Sequence, residues 1–357
     1  MPADLDAYGW TARLAELFAP HAAAGLQPGR VSLEHTHIYR VMTAGGEVLA
    51  RVAGRLRHQA SARADFPAVG DWVAIESGRA GGDVRIRAVL PRFSRFSRRA
   101  AGDATEEQVV AANVDTVFLV GGLDRDFNPR RLERYLVVAW ESGAAPVSLL
   151  NKADLVADPG AAVEEMRALA PDVPVLAVSC RRPESLAAVL EHLGPGRTGA
   201  LLGSSGVGKS TIANQLLGHD LFRTRDVREW DSRGRHTSTS RQLVLVPGGG
   251  LLIDTPGMRE LQLWESGGWS RTFDDIVALA MACRFRDCRH LEEPGCAVRA
   301  ASDRGELPPG RLDSFRKLMA EREHAERQQD ERALLDQKRQ ARISAKALQK
   351  RLKEKPS

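Results

Sequence analysis

Eight consecutive residues, Gly203-Ser204-Ser205-Gly206-Val207-Gly208-Lys209-Ser210, complete the pattern G-x-x-x-x-G-K-[ST]. An apolar run at 199–202 precedes them, and a stretch of helical character, Ser210 to Leu217, follows. This is the sequence of a loop built to hold polyphosphate. Its glycines let backbone N–H groups turn inward around phosphate oxygens, and the helix start adds a positive dipole end. Lys209 reaches the β and γ phosphates, and Ser210 offers a hydroxyl to Mg²⁺. A Gly-rich connecting loop would look similar alone, but the strand before and the helix after it select the phosphate reading.

That loop does not choose between adenine and guanine. Asn151-Lys152-Ala153-Asp154, directly after the apolar run Val147 to Leu150, does. A carboxylate at Asp154 can accept from both the ring N–H and the exocyclic amine of guanine, a donor pair that adenine lacks. Asn151 is placed to brace the neighbouring loop, and the Lys152 stem to cover the ring plane. Taken alone, the four residues would also suit a helix cap. Ser179-Cys180, at the end of the run Val173 to Val178, stands where a short loop would support the guanine carbonyl. The pattern resembles the N-K-x-D and S-A elements of GTPases, with Cys in place of Ala.

Asp254-Thr255-Pro256-Gly257 follows a further apolar run and fits D-x-x-G: Asp254 holds Mg²⁺ through water, and the Gly257 N–H senses the γ-phosphate. Between this element and the phosphate loop lies Gly234 to Arg241, where Thr237, or alternatively Thr239, supplies a switch hydroxyl for Mg²⁺. Hydrolysis by such a site needs an oriented water and neutralised charge rather than covalent chemistry. Met258 follows Gly257 and cannot orient water. A low intrinsic rate is therefore expected, with His236 as the nearest substitute. Lys209, Thr237, Asp254, Gly257 and His236 make up the candidate catalytic set. The base-reading elements precede the phosphate loop, the reverse of the usual GTPase order, so the domain reads as circularly permuted.

A second constellation lies downstream. Cys283, Cys288, His290 and Cys296 give C-x4-C-x-H-x5-C, three thiolates and an imidazole, the donor set of a closed tetrahedral Zn²⁺ site with a structural role. Only Cys180 falls outside this window. Scattered buried thiols beside a surface histidine are the blander alternative.

These sites need elements to hold them. Strand-like runs with Gly-rich turns from about residue 31 to 90 fit a small antiparallel barrel of the OB type, whose open face commonly binds oligonucleotides. From Asn113 apolar strands alternate with helical stretches, as in a three-layer α/β domain. The expected organisation is an N-terminal extension (1–30), an OB-fold barrel that binds RNA (31–100), a circularly permuted P-loop GTPase domain of three-layer α/β form (101–262), a mostly helical zinc-binding domain (263–330) and a basic helical tail (331–357).

Composition narrows the functions further. The chain has 357 residues, 27% of them charged, with a net charge of +5. From Lys338 onward, eight basic residues stand against the single acid Glu354. A second basic zone, Arg92, Arg95, Arg98 and Arg99, is interleaved with Phe93 and Phe96. Both zones suit a polyanion, although a solvated helical tail would have the same composition. No apolar run approaches the roughly 18 residues of a membrane span, and no basic, apolar leader opens the chain. A cytoplasmic protein is expected, and no heptad pattern calls for a dimer, so a monomer is too.

Taken together, the segment Phe66-Pro67-Ala68-Val69-Gly70-Asp71-Trp72-Val73, the permuted motif order, and the run from Cys283 through Val298 with Glu293-Pro294-Gly295-Cys296 resemble the RsgA (YjeQ) family of bacterial small ribosomal subunit biogenesis GTPases. The similarity covers about residues 30 to 320. It implies an OB domain, a permuted GTPase and a zinc domain that together bind the 30S subunit and its 16S rRNA. It further implies GTP hydrolysis stimulated by that subunit and a role in late maturation. It carries nucleotide binding to Asn151 through Asp154 and to Gly203 through Thr211, and zinc binding to Cys283, Cys288, His290 and Cys296. A different class of reading is an RNA-binding assembly module that uses GTP as a conformational sensor with negligible turnover. A third is a GTPase acting on a non-ribosomal complex, which the barrel, zinc module and basic zones disfavour.

Overall fold

The computed structural model describes residues 4–35, 37–77, 83–100, 103–124, 127–221, 241–254, 268–324 and 326–327. Its first five strands are β1 (Gln27–His35), β2 (Ile38–Thr43), β3 (Gly46–Val52), β4 (Trp72–Glu76) and β5 (Val84–Val89). They run in the order β1-β2-β3-β5-β4, and β4 pairs back onto β1 from Gln27↔Ile75 to Arg30↔Trp72, which closes the barrel. Inward positions alternate along each strand, so Val31, Tyr39, Val41, Ala50, Val52, Val73, Ile75 and Ile86 fill one interior. The OB-type barrel expected from the strand spacing is present.

Its first strand corrects one expectation. β1 begins at Gln27, inside the segment 1–30 read as an N-terminal extension. Gly29 is needed there: a Cβ would stand 2.4 Å from the Val41 side chain. Ahead of β1, α1 (Ala12–Ala23) is capped by Thr11 and lays Leu14 and Phe18 against Trp72, Ala74 and Leu90 on the barrel's outer surface. A hairpin of β6 (Arg95–Ala100) and β7 (Asp103–Ala112) leads onward.

The α/β part contains β8 (Thr116–Gly122), β9 (Ala145–Asn151), β10 (Val175–Ala177), β11 (Thr198–Gly203), β12 (Gln242–Leu245) and β13 (Leu251–Asp254), ordered β10-β9-β8-β11-β13-β12. All neighbours are parallel except β12. These strands are apolar on both faces, as a parallel sheet covered on both sides requires. Val117, Leu119, Ala200 and Leu202 pack with α3 (Pro129–Ser142) and α4 (Gly160–Leu169). Phe118, Val120, Leu149 and Leu252 face α5 (Ala187–Glu191) and α6 (Lys209–Leu217). The three layers read from the sequence are therefore observed. α5 is short because a 3₁₀ turn, Pro183–Leu186, runs directly into it.

Among the described residues the C-terminal part comprises α7 (Trp269–Thr272), α8 (Asp274–Ala280), the Cys/His loop, α9 (Ala297–Asp303) and a further helix, α10, over 311–324. Trp269, Phe273, Ile276, Val298, Leu312 and Phe315 share one core with Leu132 and Leu136 of α3. A buried ion cluster fastens the same seam. Arg311 donates to Glu133 of α3, to both carboxylate oxygens of Asp275 and to the Thr272 carbonyl. The basic tail read from the sequence lies outside the described residues. Among the described residues, no helix is long and apolar enough to cross a membrane.

Barrel and α/β sheet are not separate bodies. Leu33 of β1 pairs with Gln242 of β12, which makes one eleven-stranded sheet. Arg30, only 2% exposed, stands at the junction. Its guanidinium donates to the carbonyls of Tyr8, Gly70 and Asn113 and to the Thr198 hydroxyl, joining the N-terminal segment, the barrel and β11. Burial pushes its pKa down to about 10, against the pull of Asp115 and Asp71, so it stays charged at neutral pH. Arg30→Met leaves buried carbonyls without a donor and is expected to cost about 3 kcal/mol. Equilibrium denaturation checks this; a loss below about 0.5 kcal/mol, the range of neutral surface changes, would contradict the role.

Candidate functional site

In a doubly wound sheet, ligand loops gather at the carboxyl ends of the parallel strands. Here β11 ends at Gly203 and feeds the phosphate loop, and β9 ends at Asn151 and feeds the N-K-A-D element. Gly203 to Gly208 lead into α6, whose first residues are Lys209, Ser210 and Thr211. Gly206 and Gly208 have φ of +81° and +98°, which side chains rarely tolerate. At Gly208 space is also exhausted: a Cβ would lie 2.3 Å from the Asn151 amide nitrogen. That amide donates to the Val207 carbonyl at 2.8 Å, so the N-K-A-D element physically holds the phosphate loop. Lys209 donates to the carbonyls of Gly203, at 2.8 Å, and Ser204. Ser205 and Gly206 form the exposed tip.

The neighbouring loop is turned sharply by Lys152, which has φ of +63°. Strained backbone of this kind persists where surroundings over-determine it. The Lys152 ammonium pairs with Asp124, in the loop just after β8, and the Ala153 N–H donates to the Val178 carbonyl. Ser179 donates its hydroxyl to Asp154 and holds that carboxyl below the usual range. Asp154 is therefore an ionised double acceptor at neutral pH. Cys180 lies beside Asn151, with Sγ 3.8 Å from Oδ1, and burial raises its thiol pKa. Its carbonyl accepts from Gln215 of α6, so one more bond ties this loop to the phosphate side. The fold thus brings residues 151–154, 179–180 and 203–211 together.

Asp254 is the last residue of β13, a strand that pairs in parallel with β11, the strand that feeds the phosphate loop. His236, Thr237 and Gly257 fall outside the described residues. The sequence reading missed two side chains of α3: Arg131 donates to the Ser204 hydroxyl at 2.8 Å, and the Tyr135 hydroxyl lies 3.4 Å from it. Their i,i+4 spacing was the available signal, but nothing local said what that face meets.

In the C-terminal part, one ligand atom from each of Cys283, Cys288, His290 and Cys296 lies within 4.8 Å of the others. His290 Nδ1 is 3.6 Å from Cys283 Sγ and 3.4 Å from Cys296 Sγ, and those two sulfurs are 4.0 Å apart. Tetrahedral Zn²⁺ bonds of 2.0–2.3 Å imply edges of about 3.5–3.8 Å, so the cage fits such an ion. Burial opposes ionisation of Cys283, but hydrogen bonds from the Val298 and Ala297 N–H groups and from the neighbouring Cys288 and Cys296 thiols together hold its pKa below the ordinary thiol value. Burial lowers the pKa of His290 and favours neutral imidazole, the ligating form. From α10, Arg316 donates to the His290 carbonyl and fixes the loop from behind. Arg289, between the ligands, pairs with Glu323.

A parallel sheet carrying a phosphate loop on β11 and N-K-A-D on β9, with the latter earlier in the chain, defines a circularly permuted P-loop GTPase. The RsgA GTPase family model matches residues 89–264. A small ribosomal subunit biogenesis GTPase RsgA from Opitutus terrae is 50% identical over 336 residues, 91% of this chain and 92% of its own. The crystal structure of YjeQ from Thermotoga maritima superposes with a TM-score of 0.64 at 26% identity, over 83% of this chain and 98% of that one. YloQ, described as a circularly permuted GTPase, shares the fold with a TM-score of 0.58 at 24% identity, over 83% and 94%. The chain belongs to the RsgA family of small ribosomal subunit biogenesis GTPases.

The metal cage has a direct test. Stripped with a chelator and titrated, the chain is expected to take up one Zn²⁺ at this site. Cys288→Ser should weaken uptake by more than the roughly 10–100-fold typical of changes around the ligands. Full-strength uptake by that variant would remove the assignment.

Proposed function

We propose that this protein binds the 30S ribosomal subunit through its 16S rRNA and hydrolyses GTP to GDP and phosphate when that subunit stimulates it, in late small-subunit maturation. The observation that carries the reading is the joining of three units in one body, in a chain aligned over 91% of its length with a relative named as a small ribosomal subunit biogenesis GTPase. An OB barrel shares a sheet with the permuted GTPase, and the Cys₃His helices share its core.

In this reading Asp154 accepts from guanine while Ser179 and Cys180 close the base pocket. Asn151 keeps the loop 203–208 in register, and amides at the start of α6 receive the phosphates. Lys209 moves from the carbonyls of Gly203 and Ser204 to the terminal phosphates. Ser210, Thr237 and Asp254 are the residues to hold Mg²⁺, which supplies charge neutralisation at the phosphates. His236 orients the attacking water, since Met258 cannot, and Gly257 reports the γ-phosphate. Zn²⁺ in the Cys₃His cage is structural. The barrel and the zinc module supply the rRNA contacts, aided by the basic tail, and the protein works as a cytoplasmic monomer.

Phosphate release from GTP, with ATP as control, is the test: slow alone, at least about tenfold faster with 30S subunits, and unchanged with 50S subunits. Equal, slow turnover in all conditions would instead indicate an assembly module that senses GTP without using it. Equal stimulation by 50S would remove the small-subunit assignment.

A further inference from the structure

We infer that Arg131 is a positioning residue for the GTP state, acting through Ser204. The inference rests on the nucleotide reading given under Proposed function. The phosphate loop is braced from outside at two points. At its far end Asn151 holds the Val207 carbonyl. At its start, Arg131 of α3 donates to the Ser204 hydroxyl at 2.8 Å, with the Tyr135 hydroxyl 3.4 Å away. Guanidinium only donates, so the Ser204 oxygen accepts from Arg131.

The chemistry of Lys209 explains why the two braces are not equivalent. Its ammonium rests on the carbonyls of Gly203 and Ser204, the same stretch that Arg131 holds. A nucleoside triphosphate draws that ammonium towards its terminal oxygens and away from the Ser204 carbonyl. The Arg131 bond to the Ser204 side chain does not compete with phosphate for Lys209, so it keeps the start of the loop in place when Lys209 leaves. A diphosphate draws Lys209 through its β-phosphate alone, without the further pull of a γ-phosphate, and makes less demand on this brace. Loss of Arg131 should therefore discriminate against the triphosphate.

Binding of GDP and of a non-hydrolysable GTP analogue to the full chain tests this, together with 30S-stimulated kcat and KM. Arg131→Ala is expected to weaken the GTP analogue about tenfold, the size of one hydrogen bond to a charged group, and GDP less than about twofold. The stimulated kcat should fall by a similar factor. Ser204→Ala should show the same split, the double variant should be no worse than Arg131→Ala, and Arg131→Lys should recover part of the loss. Should Arg131→Ala fail to fold, Ser204→Ala and Arg131→Lys read the same contact. Equal losses for both nucleotides, an unchanged ratio, or additive effects in the double variant would overturn the role of Arg131. A wild-type chain that binds neither nucleotide would instead bring down the nucleotide reading itself, and this inference with it.

Discussion

The hydrogen bond from the Asn151 amide to the Val207 carbonyl fixes the site, because it makes the N-K-A-D loop and the phosphate loop one object. The two elements are 56 residues apart in the chain but meet at the carboxyl ends of β9 and β11, on either side of β8. Gly208 is obligatory because Asn151 already fills the space of its missing side chain. Once this bond and the strand order are set, it does not matter which element is synthesised first. Permutation moves the chain ends and leaves the contacts unchanged.

Moving the ends has a structural consequence. The permuted sheet begins after the barrel and hands its last parallel strand, β13, towards the C-terminal helices. Both neighbours are tied back to it by buried arginines. Arg30 spans the N-terminal segment, the barrel and β11, while Arg311 spans α8, α10 and Glu133 of α3. Buried hydrogen bonds from a charged group are expensive to break once formed, because the group left without its partner stays desolvated. α3 lies between these connections: Arg131 and Tyr135 face the phosphate loop, and Glu133 meets the C-terminal helices.

Contiguous chemistry was legible in the sequence. The phosphate loop, N-K-A-D and the Cys₃His run each occupy a short window whose spacing carries its own geometry, and the apolar strands of the α/β sheet announce themselves by being buried on both faces. Contacts made at a distance were not legible. The Arg30 bond to Thr198 spans 168 residues, and the Arg311 bond to Glu133 spans 178. No local pattern specifies such pairs. β1 was hidden for a different reason: Pro28 and Gly29 signal a turn, yet here they sit where the barrel needs close approach to Val41. The Lys152–Asp124 pair was likewise invisible, since Asp124 lies in a loop with no motif of its own.

The most direct measurement is the base preference of Asp154→Asn. Xanthine carries a carbonyl where guanine has its exocyclic amine, so an amide at 154 should accept from the ring N–H and donate to that carbonyl. Binding of GDP and xanthosine diphosphate to wild type and variant should show GDP weakened about 100-fold and the xanthine nucleotide gaining in its place. Undiminished preference for GDP in the variant would mean that Asp154 does not read the base, and the permuted site as described would be wrong.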